Sequence, residues 1–173
     1  MKMLLAAFLL ALSSCSAQTQ RANYSATATQ ITVGKGPNSV VIADFNRDGK
    51  PDIAVANGAD NTVTILLGDG KGKFTEAKGS PFPAGNSPND ICVADFNGDG
   101  IPDLAFANHE AKSLTVLLGD GRGGFTPAPG SPVAVLSYPH THGVAAGDFN
   151  GDGKADIVIA NGRDNTISVL LSK

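Results

Sequence analysis

Aspartates recur in this chain at a spacing that gathers oxygen around one point. The first run is Asp44-Phe45-Asn46-Arg47-Asp48-Gly49-Lys50-Pro51-Asp52. It returns as Asp95-Phe96-Asn97-Gly98-Asp99-Gly100-Ile101-Pro102-Asp103, and again as Asp148-Phe149-Asn150-Gly151-Asp152-Gly153-Lys154-Ala155-Asp156. Oxygen-bearing side chains stand at positions 1, 3, 5 and 9 of every copy, and a glycine stands at position 6, where a tight loop needs a positive φ. Three carboxylates packed into one loop repel one another unless a cation lies between them. An all-oxygen, hard donor set favours Ca²⁺ over zinc or copper. A single copy would read equally well as an Asp/Asn/Gly turn; three copies in one local setting favour calcium, up to three ions per chain. The loops are not EF-hands: Val55, Phe106 and Ile159 occupy position 12, where that motif closes with Glu.

Short apolar runs, not helical patterns, flank these loops. In the first repeat Val40-Val41-Ile42-Ala43 reads as a strand before the loop and Ile53-Ala54-Val55-Ala56 as a strand after it. Asn57-Gly58-Ala59-Asp60-Asn61 is a turn, 62–67 a third strand, Gly68-Asp69-Gly70-Lys71-Gly72 a glycine hairpin and Phe74-Thr75-Glu76-Ala77 a fourth strand. Gly79-Ser80-Pro81 through Pro88 then leads to the next repeat. Strands one and two are apolar on both faces, as suits a sheet held between neighbouring sheets. Phe45, Phe96 and Phe149 interrupt the polar loops and are expected to insert into the core. The repeat length is 51 residues (95 − 44) and then 53 (148 − 95). A period near fifty with β patterning predicts an all-β fold of β-propeller blades, one four-stranded sheet per repeat.

Composition sets outer bounds. A chain of 173 residues is one domain's worth, and its formal charge of −3 gives no footprint for nucleic acid. Residues 1–15 read as a signal peptide, with Lys2 ahead of an apolar stretch from Leu4 to Leu12 that is too short to span a bilayer. Leu12-Ser13-Ser14-Cys15 resembles the bacterial lipoprotein signal, which implies a lipid anchor on Cys15 as the sole membrane attachment. Ser16 after it resembles proteins sent on to the outer membrane. The alternative is cleavage after Ala17 and secretion. Both readings make the chain extracytoplasmic. Residues 16–28 form a polar, flexible tether, and 29–173 the repeats. With Cys15 acylated or removed, Cys92 has no disulfide partner; in Ile91-Cys92-Val93-Ala94 it reads as a small core residue.

The motif Asp-Phe-Asn-Gly-Asp-Gly-x-Pro-Asp, followed by Leu/Ile-Ala/Val-x-Ala-Asn, resembles the FG-GAP (VCBS) repeats found in integrin α-subunit propellers and many bacterial surface proteins. The resemblance covers residues 30–173. It implies a β-propeller with Ca²⁺ held between strands one and two of each blade. Carried over by position, the implied ligands are Asp44, Asn46, Asp48, Asp52 and the Lys50 carbonyl. In the second repeat they are Asp95, Asn97, Asp99, Asp103 and the Ile101 carbonyl, and in the third Asp148, Asn150, Asp152, Asp156 and the Lys154 carbonyl. Ala155 departs from the pattern set by Pro51 and Pro102, without removing a ligand.

The third repeat reaches Lys173 at the end of its strand three, while the run 27–33 precedes the first strand one, where a strand four would sit. The expectation is that this N-terminal strand completes the last blade. In a six-bladed ring made by a homodimer it would do so reciprocally; a three-bladed monomer is the competing assembly. The face opposite the aspartate loops gathers Asn57–Asn61, Asn108–Lys112, Asn161–Asn165, Asn38, Asn89-Asp90 and Tyr138–His142. His109, His140 and His142 all fall there, as a transition-metal site, a ligand pocket or unrelated surface histidines. The leading functional expectation is a non-enzymatic, calcium-stabilised module for protein or glycan binding and adhesion. The absence of Trp counts against a sugar platform. The alternative is an extracytoplasmic hydrolase or lyase that uses the histidine face, with Glu110 beside His109; the sequence holds no nucleophile elbow and no His-Glu-x-x-His.

Overall fold

The computed structural model of the protein describes residues 29–109, 111–135, 143–162 and 165–172. The chain divides into a unit of Met1–Ile31 and a unit of Thr32–Lys173. The expected leader (1–15) and tether (16–28) lie outside the described residues; within the first unit residues 29–31 are described and carry no strand. Among the described residues no helix is long and apolar enough to cross a membrane.

Among its described residues the second unit is all-β, with three antiparallel sheets in sequence order. The first contains β1 (Pro37–Ala43), β2 (Asp52–Asn57), β3 (Thr62–Gly68), β4 (Phe74–Glu76) and β5 (Phe82–Pro83). The second contains β6 (Pro88–Ala94), β7 (Asp103–Asn108), β8 (Ser113–Gly119), β9 (Phe125–Pro127) and β10 (Val133–Ala134). The third contains β11 (Val144–Gly147), β12 (Asp156–Asn161) and β13 (Thr166–Leu170) in that order. The first three strands of each repeat form where the apolar runs predict them, because residues apolar on both pleat faces gain only when sheets cover both sides.

The fourth strand differs from the reading above. It is split, so that β4 pairs with the last residues of β3 (Leu66–Gly68) and β5 with its first (Thr62, Val63). Between the two pieces the chain stays on the same edge: Ala77 N–H donates to the Ile65 carbonyl (2.9 Å), and Ser80 Oγ accepts the Ile65 N–H (3.0 Å). The second sheet repeats this with Ala128, Val116 and Ser131. The expected strand over 27–33 is absent from residues 29–33.

The second strands of the first two sheets carry alanines on one face and larger apolar residues on the other. Ala54 and Ala56 of β2 meet Leu104 and Phe106 of β7 in one core; Ala105 and Ala107 of β7 meet Ile157 and Ile159 of β12 in the next. Alanine opposite a large side chain lets two sheets approach without voids. The middle sheet is covered on both sides, and every residue of β7 is buried. Cys92 is a free thiol in the second core, and burial pushes its pKa up to about 12, so it is inert at neutral pH.

The three loop phenylalanines meet different fates. Phe45 is 1 % exposed, in the first core, and its ring meets Phe125 edge-on with centroids 5.6 Å apart. Phe96 is half-buried against the second core. Phe149 is 54 % exposed, contrary to the expectation of a third core anchor, because among the described residues no further sheet stands against the third one.

Candidate metal centres

Each aspartate run links the first strand of a sheet to the second, and its own carboxylates shape it. In the first loop Asp44 accepts N–H bonds from Asp48 (3.0 Å) and Gly49 (2.7 Å), Asn46 Oδ1 accepts from Asp48 (3.0 Å), and Asp48 accepts from Lys50 (3.0 Å). The second loop repeats the pattern. Asp95 accepts from Gly98 (2.7 Å), Asp99 (3.1 Å) and Gly100 (2.7 Å), while Asn97 accepts from Asp99 (2.9 Å) and Asp99 from Ile101 (2.8 Å). In the third loop Asp148, Asn150 and Asp152 do the same. Successive bonds from loop N–H groups to short side-chain oxygens wind the backbone into Asx turns. The winding needs left-handed residues at positions 4 and 6: Gly98 and Gly100, Gly151 and Gly153, and in the first loop Arg47 (φ 60°) and Gly49.

Position 9 stands apart from the others. Asp52, Asp103 and Asp156 begin the second strand of each sheet and are buried. One oxygen of Asp52 accepts the Phe45 N–H (2.9 Å) and the other the Gly68 N–H (2.8 Å). Asp103 takes Phe96 and Gly119 (2.9 Å each); Asp156 takes Phe149 (3.0 Å) and Ser172 (2.8 Å). This carboxylate thus ties the loop's start to the far end of strand three. In the first two copies the donor is the last residue of strand three, Gly68 and Gly119; in the third it is Ser172, two residues past the end of β13.

Local charge follows these bonds. The Lys50 ammonium, 3.0 Å from Asp48, holds that carboxyl below its ordinary value against a smaller opposing desolvation. Burial raises Asp103, the N–H bonds from Gly119 and Phe96 working against it. The Ser172 N–H lowers Asp156. On the hairpin at the same end of the first sheet, the Lys71 and Lys73 N–H groups lower Asp69.

The residues fit a hard divalent cation by donor chemistry. Side chains at positions 1, 3 and 5 all end in oxygen, with no nitrogen base or sulfur donor among them. A carboxylate has about four acceptor sites, and Asp44 uses two of them on loop N–H groups. Among the described residues, however, no group of three His, Cys, Asp or Glu side chains is drawn close enough to hold a metal. In the second and third loops the asparagine amide donates to the position-5 carboxylate instead, Asn97 to Asp99 (2.8 Å) and Asn150 to Asp152 (3.0 Å). The position-7 residues Lys50, Ile101 and Lys154 enter these bonds through their N–H groups.

On the opposite face, His109 follows β7 and its N–H donates to the Ser87 carbonyl (2.9 Å). Glu110, Tyr138, His140 and His142 lie outside the described residues, as do 163 and 164. Asn57, Asn108 and Asn161, which the sequence reading gathers on this face, instead close strand two of each sheet and are buried. Each amide donates to two hydroxyls five and seven residues on: Thr62 and Thr64, Ser113 and Thr115, Thr166 and Ser168, at 2.8–3.1 Å. The recurring Ala-Asn pair with its two later hydroxyls was the signal for these bonds.

Comparison with known proteins places these repeats. The model of the FG-GAP-like repeat matches residues 44–106 and 95–159, together about two-thirds of the chain. The chain is similar to cartilage acidic protein 1 of Mus musculus, 28 % identical over 132 residues, and to that of Xenopus tropicalis, 29 % over 135 residues. Each match covers 71 % of this chain and 20 % of the relative, so the chain spans about a fifth of the length of these curated relatives. Among solved structures, BBS1N in its crystal structure with ARL6DN, soaked with lead, aligns with a TM-score of 0.47 at 16 % identity, over 81 % of this chain and 41 % of that one. On the matched repeats, this chain belongs to the FG-GAP-like repeat family.

Proposed function

We propose that this chain is a calcium-stabilised, propeller-type binding module that works outside the cytoplasm and presents loops to a protein or glycan partner. The observation that carries the reading is the threefold recurrence of one loop, with oxygen at positions 1, 3 and 5 around left-handed residues and a buried carboxylate at position 9. Calcium bound there would neutralise the clustered carboxylates and hold each loop in one conformation. The holders are Asp44, Asn46, Asp48 and Asp52 with the Lys50 carbonyl, and their counterparts in the next two repeats. Asp52, Asp103 and Asp156 brace each site from beneath through their two N–H bonds. A stable frame with polar loops at both ends suits recognition, where loops vary and the sheets do not move. The leader, with Cys15 as its lipidation residue, supports a bacterial surface or secreted location.

Thermal unfolding with and without chelator tests this. A site filled at 100 times its Kd stabilises by about 2.7 kcal/mol, so three independent sites add about 8 kcal/mol. EGTA is then expected to lower Tm by roughly 15–30 °C. A Tm indifferent to EGTA and to added CaCl₂ would overturn the calcium reading.

A further inference from the structure

The three sheets repeat one unit, so each interface serves as a standard for the next. In the first, Phe125 opens β9 and lies between two rings, edge-on to Phe45 (5.6 Å, 74°) and to Phe82 (5.9 Å, 66°). The Gly123 N–H, just before it, donates to the Phe45 carbonyl (3.0 Å). One repeat later, Phe96 stands at the position of Phe45 and Val133 at that of Phe82. Between them lies a cavity of about 490 Å³, lined also by Val116, Ile157 and Leu170. That is roughly three times the ~150 Å³ that admits one benzene-sized ring. The outer edge of β13 borders it, and among the described residues no strand pairs with that edge. The cavity is the place of an aromatic residue at the head of a fourth strand.

The outer faces point the same way. Val40 (61 % exposed) and Ile42 on the first sheet occupy the repeat positions of Ile91 and Val93, which are covered by a neighbour. Ile167 (67 % exposed) and Val169 on the third sheet occupy those of Leu114 and Val116, which are buried. Residues that are core in the middle of the chain are therefore bare at its two ends. Open apolar sheet faces and edges are interaction surfaces.

We infer that residues 24–31 of a second copy of this chain fill the third sheet's open edge, with Tyr24 seated in the cavity beside Phe96. The sequence supplies the match. Phe74-Thr75-Glu76-Ala77-Lys78-Gly79-Ser80-Pro81-Phe82 and Phe125-Thr126-Pro127-Ala128-Pro129-Gly130-Ser131-Pro132-Val133 are the two split fourth strands. Tyr24-Ser25-Ala26-Thr27-Ala28-Thr29-Gln30-Ile31 runs parallel to them, one residue shorter. It has an aromatic first, a hydroxyl second, an apolar residue last and a hydroxyl two places before it. Ser80 and Ser131 use that last hydroxyl to accept the Ile65 and Val116 N–H groups (3.0 and 2.9 Å), and Thr29 would do so for Val169. Like them, the segment leads directly into a first strand, β1.

A second copy is required by reach. The Gly34 N–H donates to Thr64 of the first sheet, and three residues of chain span at most ~10 Å. The second sheet stands between the first and the third, β6 packing on β1 and on β11, and two sheet spacings amount to ~20 Å. The segment of one copy therefore serves the third sheet of another. The exchange is reciprocal about a two-fold axis, and it covers Val40 and Ile42 of each copy with Ile167 and Val169 of its partner. The inference rests on the propeller-type stacking proposed above and not on calcium.

Cross-linking tests it, with the full chain carrying Cys15→Ser. The Leu118–Thr126 pairing of β8 and β9 maps onto Leu171 and Ser25. Ser25→Cys and Leu171→Cys chains, differently tagged, are mixed and oxidised. The expected result is a disulfide joining the two tags, with a parent chain that is dimeric by light scattering. Tyr24→Ala should weaken that dimer about a hundredfold, and Tyr24→Phe should restore it. A monomeric parent, a disulfide that forms only when both cysteines are on one chain, or a Tyr24→Ala dimer as tight as the parent would each overturn the inference. Cross-linking between copies in a chain that binds no calcium upholds it and removes the calcium reading instead.

Discussion

Asp103 gives the sharpest test of how the loops are held. It is fully buried, and its two oxygens each take one backbone N–H, from Phe96 and Gly119, at 2.9 Å. Those bonds join the start of the second loop, the start of β7 and the end of β8. Asp103→Leu removes both acceptors and leaves two buried donors without partners. At about 1–3 kcal/mol per orphaned donor the cost is about 2–6 kcal/mol. Asp103→Asn keeps one acceptor oxygen and turns an NH₂ toward the other donor, so one bond is lost. It also removes a buried charge whose desolvation already raises the Asp103 pKa, which offsets part of that loss. The expected cost is about 1–3 kcal/mol, clearly below that of leucine. Urea unfolding in EGTA reads these differences free of any metal contribution, with the slope unchanged if only stability has moved. Equal costs for the two variants, or a leucine variant within about 0.5 kcal/mol of the parent, would refute the reasoning that these two bonds, not the charge, hold the loop to the sheet.

At the opposite end of the same sheet, Asn108→Ala leaves the Ser113 and Thr115 hydroxyls without their amide donor and should cost about 1–3 kcal/mol in urea unfolding, with the all-β circular-dichroism spectrum retained. The Asp69 carboxyl, lowered by the Lys71 and Lys73 N–H groups, contributes stability above its ordinary value of 3.8 and loses it as pH falls through its folded value. Asp69→Asn should therefore be less stable than the parent at pH 7, and the gap should narrow as unfolding is followed to pH values below 3.8.

What was legible in the sequence was whatever a repeat states locally. The aspartate loops, the strands beside them and the inert Cys92 are set by residues within a few positions of each other. The split of the fourth strand escaped notice because β5 is two residues long, one of them Pro83, and is held by the edge of β3 alone. Phe45 and Phe149 sit in almost the same local sequence, yet one is buried and the other exposed. The difference is a neighbouring sheet, which no window around either residue contains. The double role of Asp52, Asp103 and Asp156 also depends on partners 16 residues away, Gly68, Gly119 and Ser172. The oxygen spacing of the loops was plain in the sequence, but the turning of Asn97 and Asn150 toward their aspartates follows only from the folded loop.

The most direct measurement is the number of calcium ions each chain binds, by isothermal titration of metal-stripped protein up to ~10 mM Ca²⁺, above the ~10⁻⁴–10⁻³ M range of weak extracellular sites. The account predicts three, falling to two in Asp95→Asn as the second loop alone is lost. No uptake across that range, or a count that Asp95→Asn leaves unchanged, would contradict it.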